Sequence, residues 1–282
     1  MQALKQYVPS VLKRAGFYQR LKGSCVHDLY WRIADRRRID GRNQQVDFYR
    51  RLLNGFRAGD LIFDVGANAG DKTDVFLRLG ARVVAVEPDE RCQDILRGKF
   101  LEYRLAPKPV IVVGQAVSEK VAVETMWVDG PGSALNTLSQ KWADTLRGDK
   151  KRFEHTSDVL EFAQKKSVET TTLEQLTVTH GLPFFVKIDV EGHELSTLRG
   201  MRRPVPYLSF EVNLPEFRQE GLQCLEVLEN LTASGQFNYA ADCRCGLVLD
   251  RWVARQQFSR VLDQCTDKCI EVFWRTPLAR GK

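Results

Sequence analysis

The chain has 282 residues, of which 43% are hydrophobic and 28% are charged, and its formal net charge is +6. This length suits one large α/β domain with an extension, and the composition excludes a disordered or fibrous chain. No apolar run approaches the roughly 18 residues that a membrane-spanning helix needs, and residues 1–23 carry charges where a signal peptide needs an apolar segment. We therefore expect a cytoplasmic protein without a transmembrane segment.

The positive charge is concentrated near the N-terminus. Residues 1–60 hold 13 Lys and Arg against 5 Asp, a net of +8, whereas the rest of the chain holds 29 basic against 31 acidic residues. Helices are predicted over residues 3–22 and 26–57, which gives a basic helical extension over residues 1–57. Such an arm could contact an anionic polymer or a membrane surface, or it could be a solvated helical face.

From residue 61 the chain alternates short apolar runs with amphipathic stretches. Strands are predicted at Leu61–Val65, Val83–Glu87, Val110–Gln115, Phe184–Asp189 and Tyr207–Val212. Helices are predicted at Lys72–Leu79, Glu90–Phe100 and Glu194–Arg199. Strands that alternate with helices indicate a mostly parallel sheet with right-handed crossovers, and nearly continuous apolar strands indicate burial on both faces.

The alternation of apolar runs and amphipathic stretches ends at about residue 235. Asn238–Cys243 and Leu247–Asp250 flank a turn and are predicted to form a β-hairpin, and Cys269–Arg275 is predicted as a final strand. We expect an α/β fold over residues 58–282, with a mostly parallel seven-stranded sheet, helices on both faces and an antiparallel end.

A long insertion, about residues 125–168, separates the third and fourth predicted core strands. Connections of this length are typically lids or disordered segments. The insertion includes a charged, helix-like stretch from Lys141 to Lys166. Three aromatic residues in it could stack on a ring-shaped ligand or simply pack: Trp127, Trp142 and Phe153.

The cysteines do not suggest a disulfide framework. They are Cys25, Cys92, Cys224, Cys243, Cys245, Cys265 and Cys269. Their odd number and scattered positions indicate free thiols in a reducing compartment. Cys243-x-Cys245 and Cys265-x₃-Cys269 raise a zinc hypothesis, but this spacing is loose and we expect no zinc site.

The strand Leu61–Val65 runs into a glycine-containing turn, Gly66–Gly70, that leads into a helix. Open α/β sheets bind ligands beyond the carboxyl ends of their strands, and a helix N-terminus there offers N–H groups to a carboxylate. We expect a Cβ atom at Gly66 or Gly70 to obstruct the close approach of a ligand to the backbone. The chain has neither GxGxxG nor GxxxxGK[ST], which disfavours a dinucleotide or ATP.

Acidic residues end the first two predicted strands. Asp64 lies where a carboxylate could reach the amino-acid portion of a cofactor, and Glu87 lies where a carboxylate accepts hydrogen bonds from ribose hydroxyls. Pro88 then fixes the chain direction beside the base. Strand, turn, helix, strand and acid in this order indicate an adenosine-containing cofactor, with helix capping by Glu87 as the alternative.

These segments resemble the FkbM family of methyltransferases. The matching segments are Asp64–Asn68, Val86–Pro88, Gln115–Ser118, Thr172-Leu173 and Phe185–Glu194. The resemblance, over roughly residues 48–215, implies a class I methyltransferase (Rossmann-like) fold, S-adenosylmethionine as donor and methylation of a hydroxyl, commonly on a sugar or secondary metabolite. The cofactor-binding residues that we expect are Asp64, Gly66, Ala67, Asn68, Gly70, Glu87, Pro88, Ala116, Val117 and Asp189.

We expect the chemistry to lie with Lys187, Asp189, Glu191 and His193, because methyl transfer to a hydroxyl needs orientation and proton removal. Asp189 or Glu191 could hold the cofactor's amino group or orient the acceptor, and His193 could be the general base. A divalent metal on Asp189, Glu191 and Glu211 is a third possibility, although we predict none. A structural Lys187–Asp189 ion pair and a surface His193 are the alternatives.

Four residues are expected to contact the acceptor: Ser133, Asn136, Glu211 and Asn213. We expect a saccharide, glycan or related metabolite, and consider two alternatives. A nucleic acid could bind through the basic arm, but Asp189–Gly192 replaces the Pro-Pro-aromatic run of N-methylating nucleic-acid enzymes. A non-catalytic cofactor-binding module is disfavoured by the intact acidic set.

Overall fold

The structure, a computed structural model, describes residues 36–101, 109–148, 160 and 162–277. The helix predicted over residues 3–22, and residues 26–35 of the next one, lie outside this range. The strands are β1 (Leu61–Val65), β2 (Arg82–Val86), β3 (Val110–Val113), β4 (Ala116–Val117), β5 (Ala122–Val128), β6 (Gln164–Thr171), β7 (Phe185–Ile188), β8 (Tyr207–Asn213), β9 (Gln236–Ala240) and β10 (Cys269–Arg275). The helices are α1 (Arg36–Leu52), α2 (Asp71–Arg78), α3 (Glu90–Lys99), α4 (Gln140–Gly148), α5 (Leu173–His180), α6 (Glu194–Arg199), α7 (Arg218–Leu231) and α8 (Arg255–Gln264).

Seven strands form the main sheet in the order β3-β2-β1-β7-β8-β10-β9. The first five are parallel, and β10 pairs antiparallel with both β8 and β9. The strand order reverses between β1 and β7, so the carboxyl ends of these two strands lie side by side at the switch point where such sheets bind ligands. The predicted class I arrangement is confirmed.

Helices cover both faces of the sheet. On one face, side chains such as Phe63 and Phe210 pack against α5, α6, α7 and α8. On the other face, α1, α2 and α3 pack on side chains such as Phe185. Tyr49 of α1 is fully buried, and its ring lies 5.1 Å from Phe76 and 5.7 Å from Phe185. The described part of the predicted N-terminal extension therefore contacts the main sheet. None of the described helices is long and apolar enough to cross a membrane.

The insertion contains a second sheet that the sequence analysis did not predict. Strand β6 pairs parallel with β4 and antiparallel with β5. The helix-like stretch predicted over residues 141–166 is wrong at its end, because α4 stops at Gly148 and Gln164–Lys166 belong to β6. In β6 the buried residues Val168 and Thr170 alternate with more exposed ones, which is the periodicity of a strand.

The antiparallel C-terminal end of the sheet is confirmed, but the hairpin predicted between Asn238–Cys243 and Leu247–Asp250 is wrong. β9 pairs with β10 instead, and residues 247–250 form no strand. The Asn238 side chain donates to the carbonyl of Leu249 and accepts from its N–H, beside a backbone hydrogen bond from the N–H of Val248 to the carbonyl of Tyr239. Side-chain hydrogen bonds thus stand where a hairpin would continue its backbone ladder. Helices α5, α7 and α8 were not predicted either.

Candidate functional site

A cleft of about 540 Å³ opens at the carboxyl ends of β1, β2 and β7. Eleven of the residues expected from the sequence line it: Gly66, Asn68, Glu87, Pro88, Ala116, Val117, Ser133, Asn136, Asp189, Glu191 and His193. Asp64, Ala67, Gly70, Lys187, Glu211 and Asn213 are not part of its lining.

The two glycines of the turn are required, but for a different reason from the expected one. Gly66 has φ +80°, and a Cβ there would collide with the carbonyl oxygen of Asp189. Gly70 has φ +75°, and a Cβ there would lie 2.6 Å from Leu96 and from Phe100. Close packing of neighbouring protein atoms, not of a ligand, therefore excludes side chains at both positions.

Glu87 lies at the end of β2 and is 7% exposed. Its carboxylate accepts hydrogen bonds from the backbone N–H of Asn68 and of Asp89, both at 2.8 Å. Burial raises the pKa of Glu87 to about 7, although these two hydrogen bonds oppose the rise. Each carboxylate oxygen has two lone pairs, so Glu87 can hold the turn and still accept a hydrogen bond from a ligand in the cleft.

Lys99 supports the same turn from below, a role that the sequence analysis missed. Its side chain is 3% exposed, and Nζ donates to the carbonyl oxygens of Ala69 at 3.1 Å and Gly70 at 2.9 Å. It also pairs at 3.0 Å with Asp71, whose side chain is 72% exposed. The sequence of Glu90–Lys99 predicts a helix, but nothing in it indicates that Lys99 contacts the turn.

The residues present fit the cofactor that the resemblance implies. The turn approaches the cleft with backbone atoms, Glu87 offers lone pairs beside it, and no side chain caps the N-terminus of α2. Helix N-termini of this kind bind carboxylates well. The cleft therefore offers acceptors for ribose hydroxyls, and the uncapped N-terminus of α2 follows directly after the turn that lines it.

Lys187 lies below the cleft in a buried strip of polar side chains. Its Nζ pairs with Asp189 at 2.6 Å, and Asp64 is its register neighbour on β1. Burial opposes its charge, but Asp189, Glu271 and Asp64 together raise the pKa of Lys187 above its usual value. Asp64 is 1% exposed and accepts from Thr73 Oγ1 at 2.5 Å, so it lies in this strip and not on the cleft wall.

Glu271 of β10 continues the strip and was not predicted. It accepts hydrogen bonds from Ser209 Oγ at 2.7 Å, Cys243 Sγ at 2.9 Å and Tyr49 OH at 3.2 Å. Burial alone would raise its pKa, but the nearby Lys72 and the buried Lys187 hold the pKa of Glu271 below its usual value. The strip thus connects helix α1 to the end of β7.

Three carboxylates meet above this strip. Asp189, Glu191 and Glu211 each have an oxygen within 4.8 Å of the others. Burial and the nearby Asp189 raise the pKa of Glu211 to about 8. Burial, together with Glu211 and Asp189, raises that of Glu191 well above its usual value. The spacing would also allow one metal ion, but nothing else among the described residues points to one.

Glu211 and Asn213 are not part of the cleft lining, although Glu211 reaches the acid cluster beside it. Asn213 Nδ2 donates to Glu211 Oε1 at 3.1 Å. Glu211 also lines a smaller cavity of about 210 Å³ between α6 and α7. The acid cluster therefore lies between the two cavities.

His193 lines the cleft and lies towards the second sheet. Its Nε2 is 3.1 Å from Ser118 Oγ and 3.9 Å from Glu124. Burial lowers the pKa of His193, although Glu124 and Glu119 oppose the shift. Ser118 was not predicted as a site residue, but it ends the Gln115–Ser118 segment that the resemblance had marked.

The insertion loop is tied to the cleft by Asn136. Its Nδ2 donates to Asp89 Oδ2 at 2.9 Å and to the carbonyl of Gly130 at 2.9 Å, and its Oδ1 accepts from the N–H of Asp129. Ser133 Oγ donates to Asp129 at 2.7 Å. Ser133 and Asn136, both expected to contact the acceptor, therefore already have hydrogen-bond partners within the protein.

The basic arm that was expected to contact an anionic polymer or a membrane surface lies mostly outside the described residues.

Comparison with known proteins links the chain to methyltransferases. The family described as Methyltransferase FkbM domain matches residues 64–239, more than half of the chain. A curated relative is the hexuronic acid methyltransferase AglP of Haloferax volcanii, 26% identical over 208 residues, which cover 72% of this chain and 73% of AglP.

Two solved structures show a distant similarity. A TehB-like SAM-dependent methyltransferase from Corynebacterium glutamicum has a TM-score of 0.40 at 10% identity, with 83% of this chain and 87% of that chain covered. A SAM-dependent O-methyltransferase from Thermotoga maritima has a TM-score of 0.38 at 12% identity, with 85% and 67% covered.

Proposed function

The chain belongs to the FkbM family of S-adenosylmethionine-dependent methyltransferases, and we propose that it methylates a hydroxyl group of a saccharide or a related metabolite. The observation that carries this proposal is the cluster of Asp189, Glu191 and Glu211 beside the cofactor cleft. A hydroxyl loses its proton during methylation, so an oxygen acceptor requires a group that takes this proton. The sugar substrate in the name of AglP supports a saccharide acceptor.

The residues around the cleft have separate roles in this proposal. S-adenosylmethionine supplies an electrophilic methyl group on its sulfonium, so the protein contributes orientation and proton removal. When the cofactor is bound, Glu87 would accept hydrogen bonds from its ribose hydroxyls, and Ala116 and Val117 would line the side of the cleft that holds the adenine. The N-terminus of α2 would hold the amino-acid carboxylate, and Asp189 would accept from the amino group.

Glu211 is the group that we assign to proton removal, with Glu191 beside it. Three carboxylates lie close together here, and the buried cation Lys187 pairs with one of them, Asp189. Glu191 and Glu211 have no such partner in the cluster, so they keep a high affinity for protons. The pKa of Glu211 is about 8, so its ionised form is a stronger base than an ordinary carboxylate. Once Glu211 has lost its own proton, it can therefore take up the hydroxyl proton more readily. His193 is paired with Ser118 on the adenine side, which favours a carboxylate over His193 as the base.

Product identification after labelling tests the proposal. The protein is incubated with S-adenosylmethionine labelled in its methyl group and with a cell extract, and the extract is then separated into carbohydrate, small-molecule, protein and RNA fractions. We expect label in carbohydrate or small molecules, and we expect Asp189→Ala to remove it. Label in protein or RNA would refute the acceptor that we propose.

A further inference from the structure

Two residues of the insertion hold Glu191. Trp142 Nε1 donates a hydrogen bond to Glu191 Oε2 at 2.9 Å, and Thr137 Oγ1 donates to the carbonyl oxygen of Glu191 at 2.6 Å. One contact fixes the carboxylate and the other fixes the backbone. The insertion and the end of β7 are therefore joined at this residue.

Glu191 needs such support because its local conformation is unfavourable. Its φ is +53°, in the left-handed region that costs a residue with a side chain of order 1 kcal/mol or more. Without a fixed donor, repulsion from Asp189 and Glu211 would move its carboxylate out of the cluster.

The donor is rigid. Trp142 is 1% exposed, and its ring makes an edge-to-face contact with Phe217 at 5.6 Å. A buried indole has one N–H, and a buried N–H of this kind almost always finds an acceptor. The Trp142 indole therefore cannot rotate to another partner without disturbing the core.

We propose that Trp142 is a positioning residue for the methyl transfer, because its indole N–H holds the Glu191 carboxylate in the acid cluster next to Glu211. Thr137 fixes the backbone of the same residue. That Trp142 serves methyl transfer rests on the proposed function, whereas the positioning of the Glu191 carboxylate rests on these contacts alone. The insertion thus acts as a fixed part of the site.

The charged surroundings of Glu191 determine what the loss of this donor would do. Asp189 and Glu194 lie on its own segment, Glu211 faces it from β8, and Lys187 is the nearby cation. Beyond these, Cys269 of β10 bonds to Glu211, and Glu220 of α7 lines the adjoining cavity. Helix α4 contributes the uncharged Trp142. The negative charges oppose ionisation of Glu191, and the indole N–H favours it.

Trp142→Phe removes the donor and keeps a ring in the core. A hydrogen bond to a charged group is worth enough to shift a titration by about one pH unit. Loss of the donor makes Glu191 easier to protonate or to displace, and either change reduces the negative charge beside Glu211. We therefore expect the rising limb of kcat against pH, which Glu211 sets, to move by up to about one unit to lower pH, with the KM for the cofactor changed less than about twofold. The matched control is Trp127→Phe, since Trp127 lies in the same insertion under Lys165 and Arg147. An unshifted profile in Trp142→Phe would overturn the proposal.

A second measurement needs no acceptor. Protonation of Glu191 changes the environment of the Trp142 indole, so the tryptophan fluorescence of the ligand-free protein should show a pH-dependent step. We expect Glu191→Gln and Trp142→Phe each to remove this step and Trp127→Phe to keep it. A step that persists in Glu191→Gln overturns the proposal even if Trp142→Phe folds poorly. If the fluorescence step behaves as expected, it supports the positioning role of Trp142 even if no saccharide is methylated. The absence of saccharide methylation would then count against the proposed function alone.

Discussion

Replacement of Lys187 by methionine tests whether the buried polar strip depends on one cation. The Lys187 side chain is 4% exposed and pairs with Asp189 at 2.6 Å, while Asp64 and Glu271 also act on it. Removing one partner of a buried pair leaves an uncompensated charge and typically costs about 3–5 kcal/mol. We expect the free energy of unfolding to fall by that amount at pH 7.5, which corresponds to a melting temperature lower by about 6–20 °C.

The pH dependence of this loss follows from the sign of the interaction. Lys187 favours the ionised form of its carboxylate neighbours, so its removal should cost most where they are ionised and less as they take up protons in acid. The assay is urea unfolding at pH 7.5 and pH 5, with Lys166→Met as the control. Lys166 pairs with Glu90 on the surface, and such pairs contribute about 0–1 kcal/mol. A loss below about 1 kcal/mol for Lys187→Met, or the same loss at both pH values, would refute this reasoning.

Three further predictions concern the turn and the two titrating carboxylates. Gly66→Ala should abolish cofactor binding and lower stability, because its Cβ meets the Asp189 carbonyl, whereas Gly59→Ala, at φ +91° with open space around it, should show only the backbone cost in thermal unfolding. Glu87→Gln should weaken cofactor binding about 10–150-fold in calorimetry, and wild-type binding should tighten as pH rises through about 7, since the ionised form accepts the ribose hydroxyls. The methyl-transfer rate should rise with pH to a limb near 8, since Glu211 must lose its proton to act as a base, and Glu211→Gln should remove that limb. Unchanged binding in Glu87→Gln, or an unchanged limb in Glu211→Gln, would contradict these two assignments.

The sequence predicted the core of the sheet well because each strand carries its own signal. The predicted bounds of β1 and β10 agree with the structure, β3 and β8 differ by one or two residues at one end, and β2 and β7 differ by one residue at each end. Nearly continuous apolar runs between helical segments mark buried parallel strands at any position in the chain. Glu87, the acidic residue at the end of β2, was likewise predicted from its spacing along the chain from the glycine turn.

The second sheet and the contacts behind the site could not be predicted in this way. Strand β6 has polar residues at most positions, and Val168 is its only apolar residue, so its sequence cannot be distinguished from that of a charged helix. Tyr49 and Glu271 are 222 residues apart, and Lys99 and Gly70 are 29 apart, so only the tertiary fold brings each pair together. Trp142 was expected to pack, and it does, but nothing in its local sequence indicated the hydrogen bond to Glu191.

The atom that receives the methyl group is the most direct test of the account. The protein is incubated with ¹³C-methyl S-adenosylmethionine and a saccharide-containing fraction of the extract, and the product is analysed by two-dimensional NMR. We predict a single methoxy resonance that correlates with a sugar ring proton, and its loss in Glu211→Gln. An N-methyl or C-methyl resonance in the product would contradict the assignment of the acid cluster to proton removal from a hydroxyl.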